Sequence, residues 1–339
     1  MSGGRQKRDT RMDLMRLVFM FMICLVHAVG YESARWCHWL ANISFAGVLG
    51  FVLISGYYGI RFSWMKVVKI EGVGLGCAIT VMTLAALIGP DAITSRFFVS
   101  EVIRLYTHYW FIHAYVLMMC LAPLMGDELP HREFLRKVLP ILLAIYGWSF
   151  AMLIPGVQRF VPRTEGLVSY SGVTLFGAYL IGRLYRLGDW DSKLSYKVVL
   201  PAMAICGFLA ASCVRPFSGW GNVLARYNSP FLLVVSIGLF WLLRRGSWQC
   251  PCPVERILSW MTGSVLSVYL LHCNNYGYAV SGRLESALRN LSIGDYGVFA
   301  VLAICAFISG FVLDVPRRGI VYLMTFASKV RRQEEGSNS

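Results

Sequence analysis

Long stretches of apolar residues recur along the chain, and short polar segments separate them. Nine windows contain no Asp, Glu, Lys or Arg: Trp39–Ile60, Gly72–Pro90, Tyr109–Gly126, Val138–Gln158, Gly166–Gly182, Val198–Val214, Tyr227–Leu243, Ile257–Gly282 and Tyr296–Leu313. A tenth, Leu17–Tyr31, is shorter but extends back over Arg16 to Leu14. A helix needs about 20 mostly apolar residues to cross a bilayer, so this pattern predicts about ten transmembrane helices. We therefore expect an all-α, polytopic membrane domain over residues 1–328 and a disordered polar tail over residues 329–339.

Composition and charge agree with this prediction. The chain is 57% hydrophobic and 15% charged, whereas soluble domains carry about 25% charged residues. The net charge of +14 would suggest nucleic-acid binding in a soluble protein. With the N-terminus placed inside, however, the inner segments hold 22 of the 32 Lys and Arg residues and the outer segments hold nine. Because cytoplasmic loops are enriched in Lys and Arg, the sequence predicts two cytoplasmic termini and no nucleic-acid partner.

The first predicted helix carries three polar residues, Asp13, Arg16 and His27. Ionisable groups inside a membrane are costly, so each is a candidate functional residue. Arg16 and His27 are 11 residues apart, which places them on one helix face about 16 Å apart along the axis. Asp13 precedes Arg16 by three residues, within reach of an ion pair. The alternative is that Asp13 and Arg16 anchor the helix end and that His27 is a hydrogen-bonded core histidine.

Two further histidines, His113 and His272, are expected at a depth similar to that of His27, with Asn274 and Asn275 beside His272. Imidazole titrates near neutrality, so such a group is suited to act as general base on a hydroxyl. Three histidines could instead bind zinc, but no two on one predicted helix have the spacing of a ligand pair. We therefore expect a polar cavity without a metal.

A basic segment follows the second predicted helix, with Arg61, Lys66 and Lys69 at its inner end. These residues could be ordinary positive-inside charge. They could equally bind an anionic ligand that arrives from the cytosol, such as a phosphate-bearing cofactor. The aromatic residues around Trp110 are typical of an interfacial belt.

Taken together, these segments resemble the acyltransferase 3 family of integral membrane acyltransferases, and within it the bacterial polysaccharide O-acetyltransferases. Four motifs carry the resemblance in order along the chain: Arg16 and His27 after Asp13; GVLGFVLISGYYGI with Ser55, Gly56 and Tyr57; HYWFIHAYVLMMCLAPLM with Trp110, Phe111 and Pro123; and LSVYLLHCNN with Tyr269 and His272. Each motif alone is weak, but four in the expected order are specific. The resemblance covers roughly residues 10–325.

The resemblance implies transfer of an acyl group, usually acetyl from acetyl-CoA, to a hydroxyl of a cell-envelope glycan at the cell membrane. It makes His27 the catalytic base and Arg16, with Asp13, its essential partner. We assign Arg61, Lys66, Lys69 and Tyr57 to donor binding, and His272, Asn275, Trp110 and His113 to acceptor binding. This chain lacks the Arg-x-x-Arg pair of many members, having Trp64 three residues after Arg61. The rival functions are a transporter or flippase for envelope glycans and a non-catalytic membrane scaffold.

Overall fold

The structure is a computed structural model that describes residues 9–28, 35–88, 95–126, 130–151, 171–212, 226–246 and 251–337. Within these ranges the chain is helical and contains no strand. Its helices are α1 Thr10–His27, α2 Arg35–Ser44, α3 Ala46–Tyr58, α4 Trp64–Ile88, α5 Ser95–Thr107, α6 Trp110–Leu121, α7 His131–Ala151, α8 Gly172–Leu187, α9 Trp190–Lys193, α10 Tyr196–Ser212, α11 Pro230–Arg245, α12 Cys252–Thr262, α13 Val265–His272, α14 Asn275–Asn290 and α15 Asp295–Ser337. A short 3-10 helix, Ala122–Met125, follows α6. The predicted all-α class is therefore confirmed.

Helices α1 and α3 form the centre of the fold. Helix α1 packs against α2, α3, α12, α13 and α15, and α3 packs against α1, α8 and α11. The most extensive of these contacts, between α3 and α8, depends on two facing glycines. A Cβ added at Gly182 would lie 2.5 Å from the carbonyl oxygen of Leu53 and 2.9 Å from the Cα of Gly56. Small residues at such crossings let helix backbones approach closely, and here they let α8 pack closely against α3.

Three helical segments are long and apolar enough to cross a membrane: Trp36–Tyr58, which runs through α2 and α3, Trp64–Leu87 in α4, and Asp295–Leu323 in α15. A fourth candidate is a bent pair, Phe98–Thr107 and Trp110–Met125, whose two parts meet at 53°. These are the spans that length and composition support among the described residues, against the ten that the sequence predicts. The predicted windows Val138–Gln158 and Gly166–Gly182 run partly outside the described residues. Large apolar side chains remain exposed along the outer faces of α4, α10 and α15, a surface that suits lipid.

The predicted ninth window, Ile257–Gly282, is divided among three helices rather than forming one. The chain leaves α12 at Gly263, forms the short α13, and leaves it at Cys273 before α14 begins. Asn274 has an extended backbone, φ −156° and ψ 166°, which no continuous helix accommodates. Helix α14 covers most of the segment between this window and the next one, which begins at Tyr296. Helix α15 continues past residue 328, so the predicted start of the polar tail does not coincide with a helix end.

Candidate active site

A cavity of about 450 Å³ lies beside the N-terminal half of α1. Three cationic side chains line it, Arg16, Lys66 and Lys69. Hydroxyl-bearing residues complete its polar wall, and the cavity lining contains Ser55, Tyr58 and Tyr115. Its remaining lining is mostly apolar: Phe51, Ile54, Gly59, Ile60, Ile70 and Met119. A cleft with a few placed cations in an apolar wall can hold an anionic ligand that also has an apolar part.

The ion pair predicted between Asp13 and Arg16 is confirmed. A guanidinium nitrogen of Arg16 donates to Oδ1 of Asp13 at 3.0 Å. Asp13 is 2% exposed, whereas the Arg16 side chain is 31% exposed. The carboxylate therefore lies inside the protein and holds the guanidinium at the cavity wall.

Two of the four predicted donor-site residues lie outside the cavity lining. Arg61 is exposed, and its backbone carbonyl accepts a hydrogen bond from Nζ of Lys66 at 2.9 Å. Tyr57 points to a different basic cluster, with the guanidinium of Arg244 4.3 Å from its ring centroid and that of Arg186 5.6 Å away. Its sequence neighbour Tyr58 lines the cavity instead, because successive residues of a helix face different directions.

The opposite end of α1 brings His27 against His272, with ring centroids 5.3 Å apart. Both nitrogens of His27 have partners. Nε2 lies 3.3 Å from Sγ of Cys273, and Nδ1 lies 2.9 Å from the hydroxyl of Tyr278. The Tyr278 hydroxyl also lies 3.5 Å from the same Sγ, so imidazole, thiol and phenol form a closed triangle.

The hydrogen bonds of His272 determine its tautomer. Nδ1 lies 2.5 Å from the backbone carbonyl oxygen of Val268, an oxygen that can only accept. Nδ1 therefore carries the proton, and Nε2 of the neutral ring presents a lone pair. His272 is 8% exposed, and its Nε2 has no hydrogen-bond partner within the described ranges. A buried acceptor of this kind is ready to bind a hydroxyl group.

Asn274 positions the turn that carries His272 and Cys273. Its amide nitrogen donates to the carbonyls of Leu270 and Leu271, both at 3.0 Å, at the end of α13. Its carbonyl oxygen accepts from the backbone N–H of Gly277 at 2.9 Å, at the start of α14. The predicted acceptor residue Asn275 is exposed as the first residue of α14.

Two other predicted acceptor residues, His113 and Trp110, make contacts of a different kind. Nε2 of His113 lies 3.3 Å from the carbonyl oxygen of Tyr106, and its ring packs edge-on against that tyrosine. The Tyr106 hydroxyl in turn donates to Glu71. Trp110 packs against Phe111 and tilts over a second aromatic ring, that of Tyr227. The structure thus brings together two of the three expected imidazoles.

A row of aromatic rings joins the cavity to the imidazole pair. Tyr115 lines the cavity and packs against Phe111, with ring centroids 5.9 Å apart. Phe111 packs against Tyr269 at 5.6 Å, and Tyr269 packs edge-on against His272 at 6.4 Å. The two polar regions are therefore connected through the interior of the fold.

The sequence analysis assigned no site role to Cys273 and Tyr278, the partners of His27, or to Ser55, Tyr58 and Tyr115 in the cavity wall. All of these except Tyr278 lie within the motif stretches that carry the family resemblance. In the part of the chain that the structure describes, no group of three or more His, Cys, Asp or Glu residues is arranged to hold a metal ion.

Comparison with protein-family models matches residues 9–316 to the acyltransferase domain known as acyltransferase 3. The chain belongs to the acyltransferase 3 family. The matched range contains the cation-lined cavity, the imidazole pair and the aromatic row between them, so both polar regions belong to the acyltransferase domain. Membership makes the protein a membrane acyltransferase. No curated protein and no solved structure shows a significant match to the chain.

Proposed function

We propose that the protein transfers an acyl group, in the simplest case acetyl, from acyl-CoA to a hydroxyl of a cell-envelope polysaccharide or glycolipid. The observation that carries this proposal is the presence of two polar regions at opposite ends of α1. One is a cation-lined cavity, the other a pair of adjacent imidazoles, and a row of aromatic rings joins them. A two-substrate transfer between a charged cytosolic donor and an envelope acceptor needs two such regions.

The cavity suits the donor. Lys66 and Lys69 stand at its mouth, and neither has a carboxylate partner among the described residues. Arg16 also lines the cavity, where its ion pair with Asp13 holds the guanidinium in place. Lysine ammonium groups bind phosphates as point charges, and guanidinium adds directional hydrogen bonds. The apolar remainder of the lining would receive the pantetheine arm and lead it toward the row of aromatic rings.

The imidazole pair suits the acceptor end. Arg16 lies about 16 Å from His27 by helix rise, too far to share a proton with it. A positioned imidazole contributes about 10²–10⁴-fold to such a transfer as general base. In this proposal His27 and His272 handle the protons of the reaction, while Arg16 belongs to the donor site.

The proposal includes a topology: the chain crosses the cell membrane ten times, and both termini lie on the cytosolic side. This arrangement opens the cavity to cytosolic acyl-CoA and turns the imidazole pair toward the envelope. Lys66→Cys and Ser286→Cys, each in a background lacking the exposed native cysteines, test it. We expect an impermeant thiol reagent to label Ser286→Cys in intact cells and Lys66→Cys only in inverted vesicles. Labelling of both from one side would contradict the topology.

Donor binding is the direct test of the proposed activity. We expect purified protein to bind acetyl-CoA in a calorimetric titration, and Lys66→Glu combined with Lys69→Glu to weaken binding at least tenfold. Lys197→Glu is the matched control, because Lys197 is exposed on α10 outside the cavity. A folded protein that binds no acyl-CoA would refute the proposal and favour a transporter or flippase for envelope glycans.

His27→Ala tests the catalytic end. We expect at least a hundredfold loss of envelope O-acylation in cells, with expression and thermal stability close to those of the unchanged protein. O-acylation within a few-fold of the unchanged protein would refute the role of His27 and leave His272 as the base.

A further inference from the structure

The structure gives the two imidazoles different surroundings. His27 has both nitrogens in contact, one with the Cys273 thiol and one with the Tyr278 hydroxyl. His272 has one nitrogen tied to a backbone carbonyl and the other without a partner. At Nε2 of His272 a sugar hydroxyl would have no existing hydrogen bond to displace. At either nitrogen of His27 it would have to displace the thiol or the phenol.

The contact between His27 and Cys273 has the form of a nucleophile and its base. A carbonyl or phenol oxygen that accepts from Nδ1–H leaves Nε2 free to take a proton from sulfur. Here the Tyr278 oxygen can accept from Nδ1, and Nε2 faces Sγ at 3.3 Å. An adjacent base of this kind is what activates a weak nucleophile in covalent catalysis. Cys273 is half-buried, and its sulfur lies between the His27 ring and the Tyr278 hydroxyl.

We propose that Cys273 carries the acyl group as a thioester between acyl-CoA and the acceptor. The inference rests on the proposed function and adds a covalent intermediate to it. It assigns His27 to the first half of the reaction and His272 to the second.

In the first half, Nε2 of His27 takes the proton from the Cys273 thiol, and the sulfur attacks the carbonyl carbon of the acyl-CoA thioester. The bond from that carbon to the CoA sulfur breaks, and the CoA thiolate receives the proton from His27. The products are S-acyl-Cys273 and free CoA. One thioester replaces another, so the step needs no further reactant.

In the second half, Nε2 of His272 takes the proton from an acceptor hydroxyl, and the oxygen attacks the acyl carbon on Cys273. The bond from that carbon to the cysteine sulfur breaks, and the proton passes from His272 to the sulfur. The products are the O-acyl glycan and the Cys273 thiol. Asn274 positions the side chains of His272 and Cys273, because its hydrogen bonds fix the turn in which they lie.

Isotope exchange tests the intermediate without any acceptor. Purified protein in detergent is incubated with acetyl-CoA and radiolabelled CoA, and transfer of label into acetyl-CoA is measured. We expect exchange by the unchanged protein and at least a hundredfold loss in Cys273→Ala. Cys120→Ser, which replaces an exposed cysteine on α6, is the matched control and should exchange normally.

Variants of the two histidines should distinguish the two half-reactions. We expect His27→Ala to lose exchange and envelope O-acetylation together, whereas His272→Gln should keep exchange and lose O-acetylation. Cys273→Ser, which is nearly isosteric, should either lose exchange or accumulate a stable acetyl ester at residue 273 in peptide mass spectra. It also covers the case in which Cys273→Ala fails to fold.

Two results would overturn the inference and leave the proposed function intact. One is envelope O-acetylation by Cys273→Ala within a few-fold of the unchanged protein. The other is an unchanged protein that O-acetylates the envelope but shows neither exchange nor an acetyl group on Cys273. If the unchanged protein neither binds acetyl-CoA nor alters envelope O-acetylation, the proposed function itself fails.

Discussion

The ion pair between Asp13 and Arg16 allows a stability role to be separated from a donor-binding role. Arg16→Gln removes the guanidinium and leaves Asp13 buried without this partner. Adding Asp13→Asn to the same protein then removes the carboxylate charge that has lost this partner. If the only role of Arg16 is to neutralise Asp13, the double variant should recover both the thermal stability and the affinity for acetyl-CoA. If Arg16 also binds the donor, the double variant should recover the stability but not the affinity.

The expected magnitudes follow from the exposure of the two side chains. Breaking a fully buried ion pair by removing one partner costs about 3–5 kcal/mol. Arg16 is about one-third exposed, so solvent screens part of the cost, and we expect about 3 kcal/mol for Arg16→Gln. That corresponds to a fall of roughly 4 °C in Tm for a domain of this size. A lost hydrogen bond to a charged group, about 1.5–3 kcal/mol, should weaken acyl-CoA binding by roughly tenfold or more.

The assay is a thermal-unfolding curve and an acetyl-CoA titration on each of the four proteins of the cycle. We expect Arg16→Gln to lose stability and affinity, Asp13→Asn to lose stability because Arg16 is no longer held, and the double variant to regain most of its Tm with weak binding. Recovery of the affinity together with the Tm in the double variant would refute a donor-binding role for Arg16.

Two further predictions concern packing and positioning. Gly182→Val should destabilise the protein by about 1–3 kcal/mol, because the new side chain would collide with α3 at Gly56, whereas Gly319→Val, which enters open space, should leave Tm nearly unchanged. Asn274→Ala should strongly reduce envelope O-acylation while lowering Tm only slightly. The helix cap itself is worth about 1 kcal/mol of stability, whereas its hydrogen bonds position the reacting side chains. Asn290→Ala, at the exposed end of α14, is its control, and equal loss of activity in both would refute the positioning role.

The sequence alone determines the features that belong to single helices. Apolar windows and charge distribution predict an all-α membrane protein, and ordered motifs place it in its family, because both signals are local in the chain. The Asp13–Arg16 pair is predictable for the same reason, since a spacing of three residues brings two side chains together on any α-helix. The division of the window Ile257–Gly282 into three helices is harder to predict from the sequence, because it depends on the extended backbone of Asn274 and on its capping hydrogen bonds.

The tertiary structure alone decides which distant side chains meet. Periodicity places His27 and His272 on their own helices, but the angle at which α1 packs against α13 decides that their rings lie 5.3 Å apart. His113, on α6, lies against Tyr106 instead. Cys273 reaches His27 only because the chain turns sharply after α13, and 246 residues separate the two along the sequence. Helix geometry fixes directions within one helix, whereas close-packed side chains and small residues at the crossings fix how helices face each other.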